Sequence, residues 1–371
     1  MTAVMARTRA DIVRTPDREL TRRALPRRDA ASRIRVIPVD GTAPIDLPTL
    51  PVGLRVRSLD GSIDEAGHLR VHVLFTNGRL WSFGPESDRW EQEALGIERV
   101  HISASGREKA LLRADGVIEL VDGERTTRWT HPGRWSSLPY RSVLACTEDG
   151  EPAVYTLSSA GDLSVVRADG ARLVDRRVSA VAAEPGENGT VVYARPQEFR
   201  VGRPDGTSTR LGSRFRDIRP WARTTMRAVT STTTADGAVV VLAHDLEQNL
   251  HVWSSTAPAC RYATLGEVTT FPHALADQRG VVATRGGSIR WVYPHGQTLP
   301  VEAGDLPGRA RAVELRTAVA AGGERTVYAR GSDCRLYSSH AGSSQWQLVA
   351  DDVEVFDLIP GRAHIIVAST A

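Results

Sequence analysis

Val71-His72-Val73-Leu74-Phe75, followed by the turn Asn77-Gly78 and the segment Arg79-Leu80-Trp81, is the stretch that decides the fold of this 371-residue chain. An apolar run, a Gly-containing turn and a short segment with a Leu anchor predict a β-hairpin. The same phrase returns as Ala110-Leu111-Leu112, the turn Asp115-Gly116 and Val117-Ile118. A recurring hairpin of this kind indicates a repeat.

The Leu or Ile anchor of this phrase marks the period of the repeat. Successive anchors are separated by about 43 residues on average and stand at Leu80, Ile118, Leu163, Phe199, Leu250, Ile289 and Leu336. Each anchor follows a short apolar run rich in β-branched residues, which favours a strand over a helix. A repeat of this length that is made only of strands is typical of a β-propeller. We therefore predict an all-β chain with a single propeller of four-stranded blades.

The apolar runs and the turns support this prediction independently. The runs are nearly continuous in apolar residues, so both faces of these strands are expected to be buried between neighbouring blades. The predicted tight turns contain Asx-Gly pairs, which accept the positive φ angles of hairpin turns. They lie at Asn77-Gly78, Asp115-Gly116, Asp122-Gly123, Asp169-Gly170 and Asp205-Gly206.

The two ends of the repeat predict how the ring closes. After the seventh anchor, residues 353–359 and 364–368 resemble the first two strands of another blade. Residues 33–37 and 43–47 precede Leu80 by about 45 residues and supply two further strands. A blade shared between the two termini would leave no sheet edge exposed. The ring then has eight blades, although seven remain possible if the weak unit around Phe199 merges with a neighbour.

Charge divides the chain into two predicted regions, a basic N-terminal arm at residues 1–32 and a propeller at residues 33–371. Residues 1–33 contain nine arginines and four acidic residues, a net charge of +5, whereas the whole chain carries +3 and the remainder therefore −2. We expect the arm to be flexible until it binds an acidic partner or nucleic acid. Its candidate binding residues are Arg18, Arg22, Arg23, Arg27 and Arg28.

Composition and motifs favour a cytoplasmic protein without cofactors. No apolar stretch is long enough to span a membrane, and the arginines of residues 1–33 exclude a secretory signal in that segment. Lys109 is the only lysine, and such a preference for arginine suggests a bacterium with a high-GC genome, such as an actinobacterium. The three cysteines are dispersed, and no nucleotide-binding or catalytic motif is present. His68 and His72 share a face of one strand, but no third ligand lies nearby in sequence, so we predict no metal site.

Two repeat families offer a partial resemblance. The segment from Gly78 to Gly84, Gly-Arg-Leu-Trp-Ser-Phe-Gly, resembles the repeat of the regulator-of-chromosome-condensation type. The segments that end in Trp90 and Trp346 resemble tectonin-type lectin repeats. Both resemblances imply a β-propeller. The His and Gly positions of the first family and the regular Trp of the second do not recur along the chain, so no functional residue is carried over.

Three functions are compatible with these observations. The favoured one is a non-catalytic scaffold, a rigid propeller that docks into a larger bacterial protein assembly through its loops and basic arm, because its units diverge and contain no catalytic motif. The first alternative is a carbohydrate-binding propeller that uses Trp81, Trp253 and Trp291. The second alternative is a propeller lyase or hydrolase. Its distinguishing feature would be a convergence of His, Asp, Glu or Arg side chains on one face near the ring axis.

Overall fold

The computed structural model describes most of the repeat region. The described residues are 32–38, 43–50, 54–63, 68–84, 87, 89–102, 108–123, 125–130, 140–148, 151–183, 190–196, 198–211, 225–233, 239–255, 257–263, 270, 273–274, 280–284, 286–293, 297–319, 325–359 and 364–370. They form strands β1 to β32 in chain order and one 3-10 turn at Pro307–Arg309. Among them, no helix is long and apolar enough to cross a lipid bilayer.

Strands from both ends of the chain share one sheet, which we call the terminal sheet. Its members are β1 (Ser32–Pro38), β2 (Ile45–Asp46), β31 (Val353–Leu358) and β32 (His364–Thr370). Their order across the sheet is β2-β1-β32-β31. β1 pairs with β32 along its whole length, from Ser32 opposite Thr370 to Pro38 opposite His364.

The first half of the chain forms four consecutive sheets. Sheet 1 comprises β3 (Val56–Ile63), β4 (Leu69–Phe75), β5 (Leu80–Phe83) and β6 (Glu91–Ala94). Sheet 2 comprises β7 (Ile97–Ile102), β8 (Glu108–Arg113), β9 (Ile118–Asp122) and β10 (Arg125–Trp129). Sheet 3 comprises β11 (Tyr140–Glu148), β12 (Glu151–Ser158), β13 (Leu163–Arg167) and β14 (Gly170–Asp175). Sheet 4 comprises β15 (Ala180–Ala183), β16 (Val191–Arg195), β17 (Glu198–Gly202) and β18 (Ser208–Leu211).

Three further sheets complete the set before the chain enters the terminal sheet. Sheet 5 comprises β19 (Met226–Thr233), β20 (Val239–Asp245), β21 (Leu250–Ser254) and β22 (Ala257–Ala263). Sheet 6 comprises β23 (His273–Ala274), β24 (Gly280–Ala283), β25 (Ile289–Val292) and β26 (Thr298–Pro300). Sheet 7 comprises β27 (Ala312–Val319), β28 (Arg325–Gly331), β29 (Leu336–His340) and β30 (Gln347–Ala350). The described residues thus contain eight four-stranded antiparallel sheets.

Packing contacts connect the sheets in a circle. The first strand of each sheet contacts the first strand of the next, from β3 against β7 through β27 against β31, and β31 in turn contacts β3. The first strands therefore surround a common axis, and the fourth strand of each sheet lies on the outer rim. This arrangement confirms the prediction of an all-β propeller with four-stranded blades.

The anchors and turns lie where the repeat predicted them. All seven anchors are at most 2% exposed, and each stands at the first or second position of the third strand of its sheet. The glycine of each of the five Asx-Gly pairs has a positive φ angle. At Gly78, φ is 79°, and an added Cβ would lie 3.1 Å from the carbonyl oxygen of Ile97. This turn therefore needs glycine both for its conformation and for space.

Apolar side chains fill the gaps between the sheets. One face of the terminal sheet places Ile34 and Val36 in the same cluster as Val71 and Phe75 of sheet 1. Its other face packs Phe356 and other apolar residues against Tyr328 and Leu336 of sheet 7. Both faces of the inner strands are thus buried, as the continuous apolar runs predicted.

Candidate functional site

The predicted arm residues Arg18, Arg22, Arg23, Arg27 and Arg28 lie outside the described residues. Their role in binding stays a prediction. The described chain begins at Ser32, where β1 enters the terminal sheet beside β32. The arm therefore joins the propeller at this sheet.

Two tryptophans connect successive sheets, as expected for residues that cover the gap between blades. The Trp90 indole Nε1 donates to the Pro48 carbonyl oxygen at 2.7 Å, and the Trp346 indole Nε1 donates to the Gly304 carbonyl oxygen at 3.0 Å. Each acceptor belongs to the segment that follows the fourth strand of the preceding sheet. These side chains serve packing and need no ligand.

Two of the three tryptophans proposed for carbohydrate binding are buried. Trp253 is 4% exposed and Trp291 is 2% exposed, and Trp81 is half-buried against the apolar cluster of sheet 1. The Trp291 indole Nε1 donates to Glu302 at 3.2 Å. Because sugars stack on exposed aromatic faces, these burial values contradict this choice of binding residues. Sequence identifies an aromatic residue but not the neighbouring sheet that covers it.

His68 and His72, which share a face of one strand in the sequence pattern, differ in exposure. His68 is exposed, whereas His72 in β4 is 1% exposed. Within the described part of the chain, no group of three His, Cys, Asp or Glu residues is arranged to hold a metal ion. Cys334 is a free thiol.

The hydrogen-bond registers define one equivalent row of residues across all eight sheets. The row crosses the third strand two residues after the anchor, at Ser82 in sheet 1, which lies opposite His72 of β4. His72 in turn lies opposite Asp60 of the first strand. The same path in every sheet ends at one residue of the first strand, and we call these eight residues the axial row: Asp60, His101, Leu144, Ala182, Thr230, His273, Arg316 and Asp357.

Residue types in the axial row are segregated around the ring. Ionisable residues occupy the row in sheets 6 and 7, the terminal sheet and sheets 1 and 2, which are consecutive. Sheets 3, 4 and 5 supply Leu144, Ala182 and Thr230 instead. Five consecutive sheets therefore have an ionisable residue type at this position of the first strand, and the other three have Leu, Ala or Thr.

Arg316 connects sheet 7 to the terminal sheet within this row. Its Nε donates to Asp357 Oδ1 at 3.0 Å, and its Nη2 lies 3.1 Å from Glu314 Oε1. The Arg316 and Asp357 side chains are 27% and 31% exposed. The neighbouring sheets cover both faces of the first strands. The exposed parts of the Arg316 and Asp357 side chains therefore face the axis of the ring. Burial lowers the pKa of Arg316, but Asp357 and Glu314 outweigh it and the net shift is upward.

Asp60 has an unusual ionisation equilibrium. Burial and, after it, the nearby negative charge of Asp357 raise the pKa of Asp60 to about 7, although Arg316 opposes this shift. The residue is only half-buried by accessible surface, yet its burial has the largest effect on its pKa. A position deep inside the ring that is open only toward the axis explains both observations. Asp60 therefore titrates near neutral pH.

His101 is the neighbour of Asp60 in the row and stays neutral. Its Nδ1 accepts a hydrogen bond from the Ala145 backbone N–H at 3.1 Å, so the ring proton of the neutral form resides on Nε2. Burial lowers the pKa of His101 to about 4, with Asp357 opposing the shift. His101 thus offers an N–H donor and no positive charge at neutral pH.

A second buried polar group lies between sheets 1 and 2. Lys109 Nζ donates to Glu93 Oε1 at 2.7 Å, and His72 Nε2 lies 3.6 Å from the same oxygen. Burial raises the pKa of Glu93, but His72 and Lys109 outweigh it and the net shift is downward. The pKa of His72 is lowered, mainly by burial. The only lysine of the chain therefore neutralises a partly buried carboxylate between two sheets.

Sequence reasoning did not find the axial row. Its members precede the anchors of sheets 1 to 7 by 16 to 20 residues, because the connection between the first and second strands varies in length. A fixed spacing therefore cannot detect them. The row nevertheless brings Asp60, His101, Arg316 and Asp357 to one level of the ring, on four consecutive sheets.

Comparison with known proteins supports the fold. No protein-family model and no curated protein matches the chain. Among solved structures, the chain is similar to dihydro-heme d1 dehydrogenase NirN in complex with DHE, with 13% identity, a TM-score of 0.57, and 86% and 72% of the two chains covered.

Two further solved structures have a similar chain path. BamB from Moraxella catarrhalis has 12% identity and a TM-score of 0.52, with 82% of this chain and 88% of that chain covered. The Dos1 propeller has 8% identity and a TM-score of 0.51, with coverage of 86% and 79%. At these identities the likeness concerns the fold alone, which is that of a divergent β-propeller.

Proposed function

We propose that this chain is a non-catalytic protein-interaction scaffold of a bacterial assembly, built as an eight-bladed ring that the terminal sheet closes. The pairing of β1 with β32 and the circle of contacts among the first strands support the closed ring. A ring of this kind is rigid, because each blade is packed on both faces. Rigid propellers present loops and rims to partners, and the fold fits a scaffold in this coarse sense.

The observation that carries the proposal is a set of exposed apolar side chains on the outer rim. Leu299 of β26 is 43% exposed, Leu348 of β30 is 53% exposed and Ile45 of β2 is 53% exposed. They lie on the fourth strands of sheets 6 and 7 and of the terminal sheet, which are consecutive around the ring. We call these three residues the rim strip. Exposed apolar residues at successive positions are typical of a protein-binding surface.

The position of the arm suggests the chemistry of the partner. The arm, residues 1–32, contains eight arginines and four acidic residues, a net charge of +4, and it joins the terminal sheet, which also contributes Ile45 to the rim strip. A protein with an apolar surface beside an acidic segment would contact the rim strip and the arm together. Arg18, Arg22, Arg23, Arg27 and Arg28 would then pair with the acidic segment.

Affinity purification from native cells tests this proposal. The wild-type chain should recover a stoichiometric protein partner, and the triple variant I45S/L299S/L348S should recover at least about tenfold less, because apolar contact area is lost. The matched control is L173S, since Leu173 is 46% exposed on β14 of the distant sheet 3. Recovery of the chain alone under mild conditions, or equal recovery with the triple variant, would contradict the scaffold.

The axial row favours a second candidate, a propeller hydrolase or lyase that acts at the axis. A carboxyl group with a pKa of about 7, such as that of Asp60, is suited to general acid–base chemistry. Substrate turnover that survives the D60N substitution unchanged would exclude this role.

A further inference from the structure

Positive charge is concentrated on the outer strands of sheets 3 and 4, in residues 163–179 and 195–211, which we call the basic patch. These two segments contain eight arginines and four acidic residues, a net charge of +4. The corresponding segments of sheets 1 and 7, residues 80–96 and 336–352, carry −3 and −2. Residues 33–371 as a whole carry −1, because the chain carries +3 and the arm +4. The charge of the basic patch is therefore opposite in sign to that of the rest of the propeller.

Five arginines of the basic patch are exposed and belong to one surface. They are Arg172 on β14, Arg176 and Arg177 directly after it, Arg203 between β17 and β18, and Arg210 on β18. The side chains of Arg172 and Arg210 are 52% and 37% exposed. Sheets 3 and 4 meet here, since a Cβ added to Gly206 would lie 3.7 Å from the Cβ of Arg172. A ligand on the outer rim can therefore contact arginines of both sheets at once.

The carboxylates of the basic patch are shared among several guanidinium groups. Glu198 Oε1 lies 3.3 Å from Nη1 of both Arg195 and Arg200, and Glu198 Oε2 lies 3.4 Å from Arg210 Nε. Asp175 lies 3.4 Å from Arg195 and from Arg200. Three guanidinium groups thus share two carboxylates. This arrangement holds the guanidinium groups in place and leaves an excess of positive charge.

Arg177 stands at a backbone position that favours glycine. Its φ angle is 59°, in the left-handed region. The link between sheets 1 and 2 has Gly96 at the equivalent position, with a φ angle of 69°. Local folding of this turn therefore does not select arginine. The side chain of Arg177 is exposed and available to a ligand.

We propose that the basic patch binds the phosphate backbone of a nucleic acid duplex. A guanidinium group binds two phosphate oxygens at once through parallel hydrogen bonds, and arginine keeps its charge at every physiological pH. Clustered arginines also release the counterions that surround a duplex, which favours binding without regard to base sequence. The eight guanidinium groups of the patch, balanced by only four carboxylates, provide this chemistry.

The other residues of the patch favour a duplex over two different ligands. A single strand would be held by aromatic side chains that stack on its bases, and the only aromatic residue of the patch is Phe199, which is 1% exposed. A protein would need several apolar contacts at the centre of its interface. Among the described residues of the patch, Leu173 is the one large apolar side chain that is exposed. A duplex requires neither, because its phosphates face outward along both strands.

Fluorescence anisotropy tests the patch on the full-length chain, with labelled DNA and RNA duplexes of about 24 base pairs. The wild type should bind a duplex saturably at about 50 mM KCl and more weakly at about 200 mM, because salt opposes the release of counterions. R172S/R176S/R177G should weaken binding at least about tenfold at the lower salt concentration. It should also reduce the slope of log affinity against log salt concentration by about 2–3. The absence of saturable binding to both duplexes, or equal affinity in the triple variant, would overturn the proposal.

Two further variants separate the patch from net charge and from damage to the fold. R79S/R89S/R125S removes the same charge from exposed arginines of sheets 1 and 2, and it should bind as the wild type does. R172K/R176K/R177K keeps the charge in the patch and should recover most of the lost affinity. A loss in the first of these variants as large as that in R172S/R176S/R177G would contradict the site. Failure of the lysine variant to recover affinity would also contradict it.

The arm requires its own control, because it is basic as well. In a chain with alanine at Arg18, Arg22, Arg23, Arg27 and Arg28, the three patch substitutions should still weaken duplex binding at least about tenfold. No effect of the patch substitutions in that chain would assign binding to the arm and overturn the proposal. Tighter binding of poly-L-glutamate or of a single strand of equal length would overturn it too. Because these measurements require no protein partner, their outcome is independent of the scaffold.

Discussion

At the scale of single residues, Asp60 is an interior acid whose pKa is raised from 3.8 to about 7. Its carboxyl group lies in the ring interior, next to Asp357, and it is only partly balanced by Arg316. A buried acid of this kind binds its proton more tightly in the folded state than in the unfolded state. Proteins tend to retain such costly groups where they bind a ligand or carry out chemistry.

The raised pKa of Asp60 predicts a pH-dependent stability. The folded state holds the Asp60 proton up to about pH 7, whereas the unfolded state releases it near the ordinary aspartate pKa of 3.8. The contribution of Asp60 to the free energy of unfolding therefore falls as the pH rises from about 4 to about 7. The D60N variant has no such titration. The free energy of unfolding of D60N minus that of the wild type should therefore increase by about 1–3 kcal/mol between pH 5 and pH 8.

Urea unfolding at pH 5 and pH 8 measures this difference directly. The D46N variant serves as the control, because Asp46 is an exposed residue on the rim. A D60N effect that is the same at both pH values would show that Asp60 titrates normally in the folded chain.

At the scale of strands and sheets, the contact between β3 and β32 leaves no room for a side chain at Gly61. A Cβ added to Gly61 would overlap Ile366 Cδ1 and would lie 2.9 Å from Ile359 Cγ1. This close approach brings sheet 1 against the terminal sheet. Glycine at this position is therefore required for packing rather than for its φ angle.

The Gly61 contact predicts a compensating pair of substitutions. G61A should lower the free energy of unfolding by about 1–3 kcal/mol through overpacking. I366V removes Cδ1, so the double variant G61A/I366V should be more stable than the sum of the two single effects predicts. Denaturant unfolding of the three variants measures the coupling.

Gly286 offers a matched control for that cycle. An alanine Cβ there would have Thr284 Oγ1 as its nearest neighbour, at 3.8 Å. G286A should therefore change stability little. Strictly additive effects of G61A and I366V would show that the two sheets separate enough to relieve the overlap.

At the scale of the whole molecule, the terminal sheet unites residues that are more than 300 positions apart in sequence. Ile34 is fully buried in β1, lies opposite Ala368 of β32 and packs against sheet 1. Loss of this side chain should therefore weaken the terminal sheet, in which the N-terminal strands β1 and β2 pair with the C-terminal strands β31 and β32. Contacts of such high sequence separation form only when most of the chain is folded.

The variant I34A tests this dependence. It should lower the free energy of unfolding by about 2–4 kcal/mol and reduce amide protection in β1, β31 and β32 together. R33A, at the exposed neighbouring position of the same strand, is the control. Loss of protection confined to β1, with an unchanged unfolding midpoint, would indicate that the C-terminal strands do not depend on the N-terminal ones.

Some features of this fold could be predicted from the sequence and others could not. The anchors and Asx-Gly turns were predicted correctly because hairpins depend on residues close together in the chain. The carbohydrate-binding choice of Trp253 and Trp291 was wrong because burial depends on the adjacent sheet. The axial row was missed because the variable connections between first and second strands hide the register, which only the hydrogen-bonded ladders define.

The sequence by itself determined the strands, the turns, the repeat and the basic arm, since each follows from local pattern and composition. Only the tertiary structure decided which side chains face the axis and which are covered by a neighbouring sheet. Asp60, His101, Arg316 and Asp357 are scattered over nearly 300 residues of sequence, and they meet because four consecutive sheets share one register around the ring. Burial and charge in that ring, rather than residue type, give Asp60 its altered pKa.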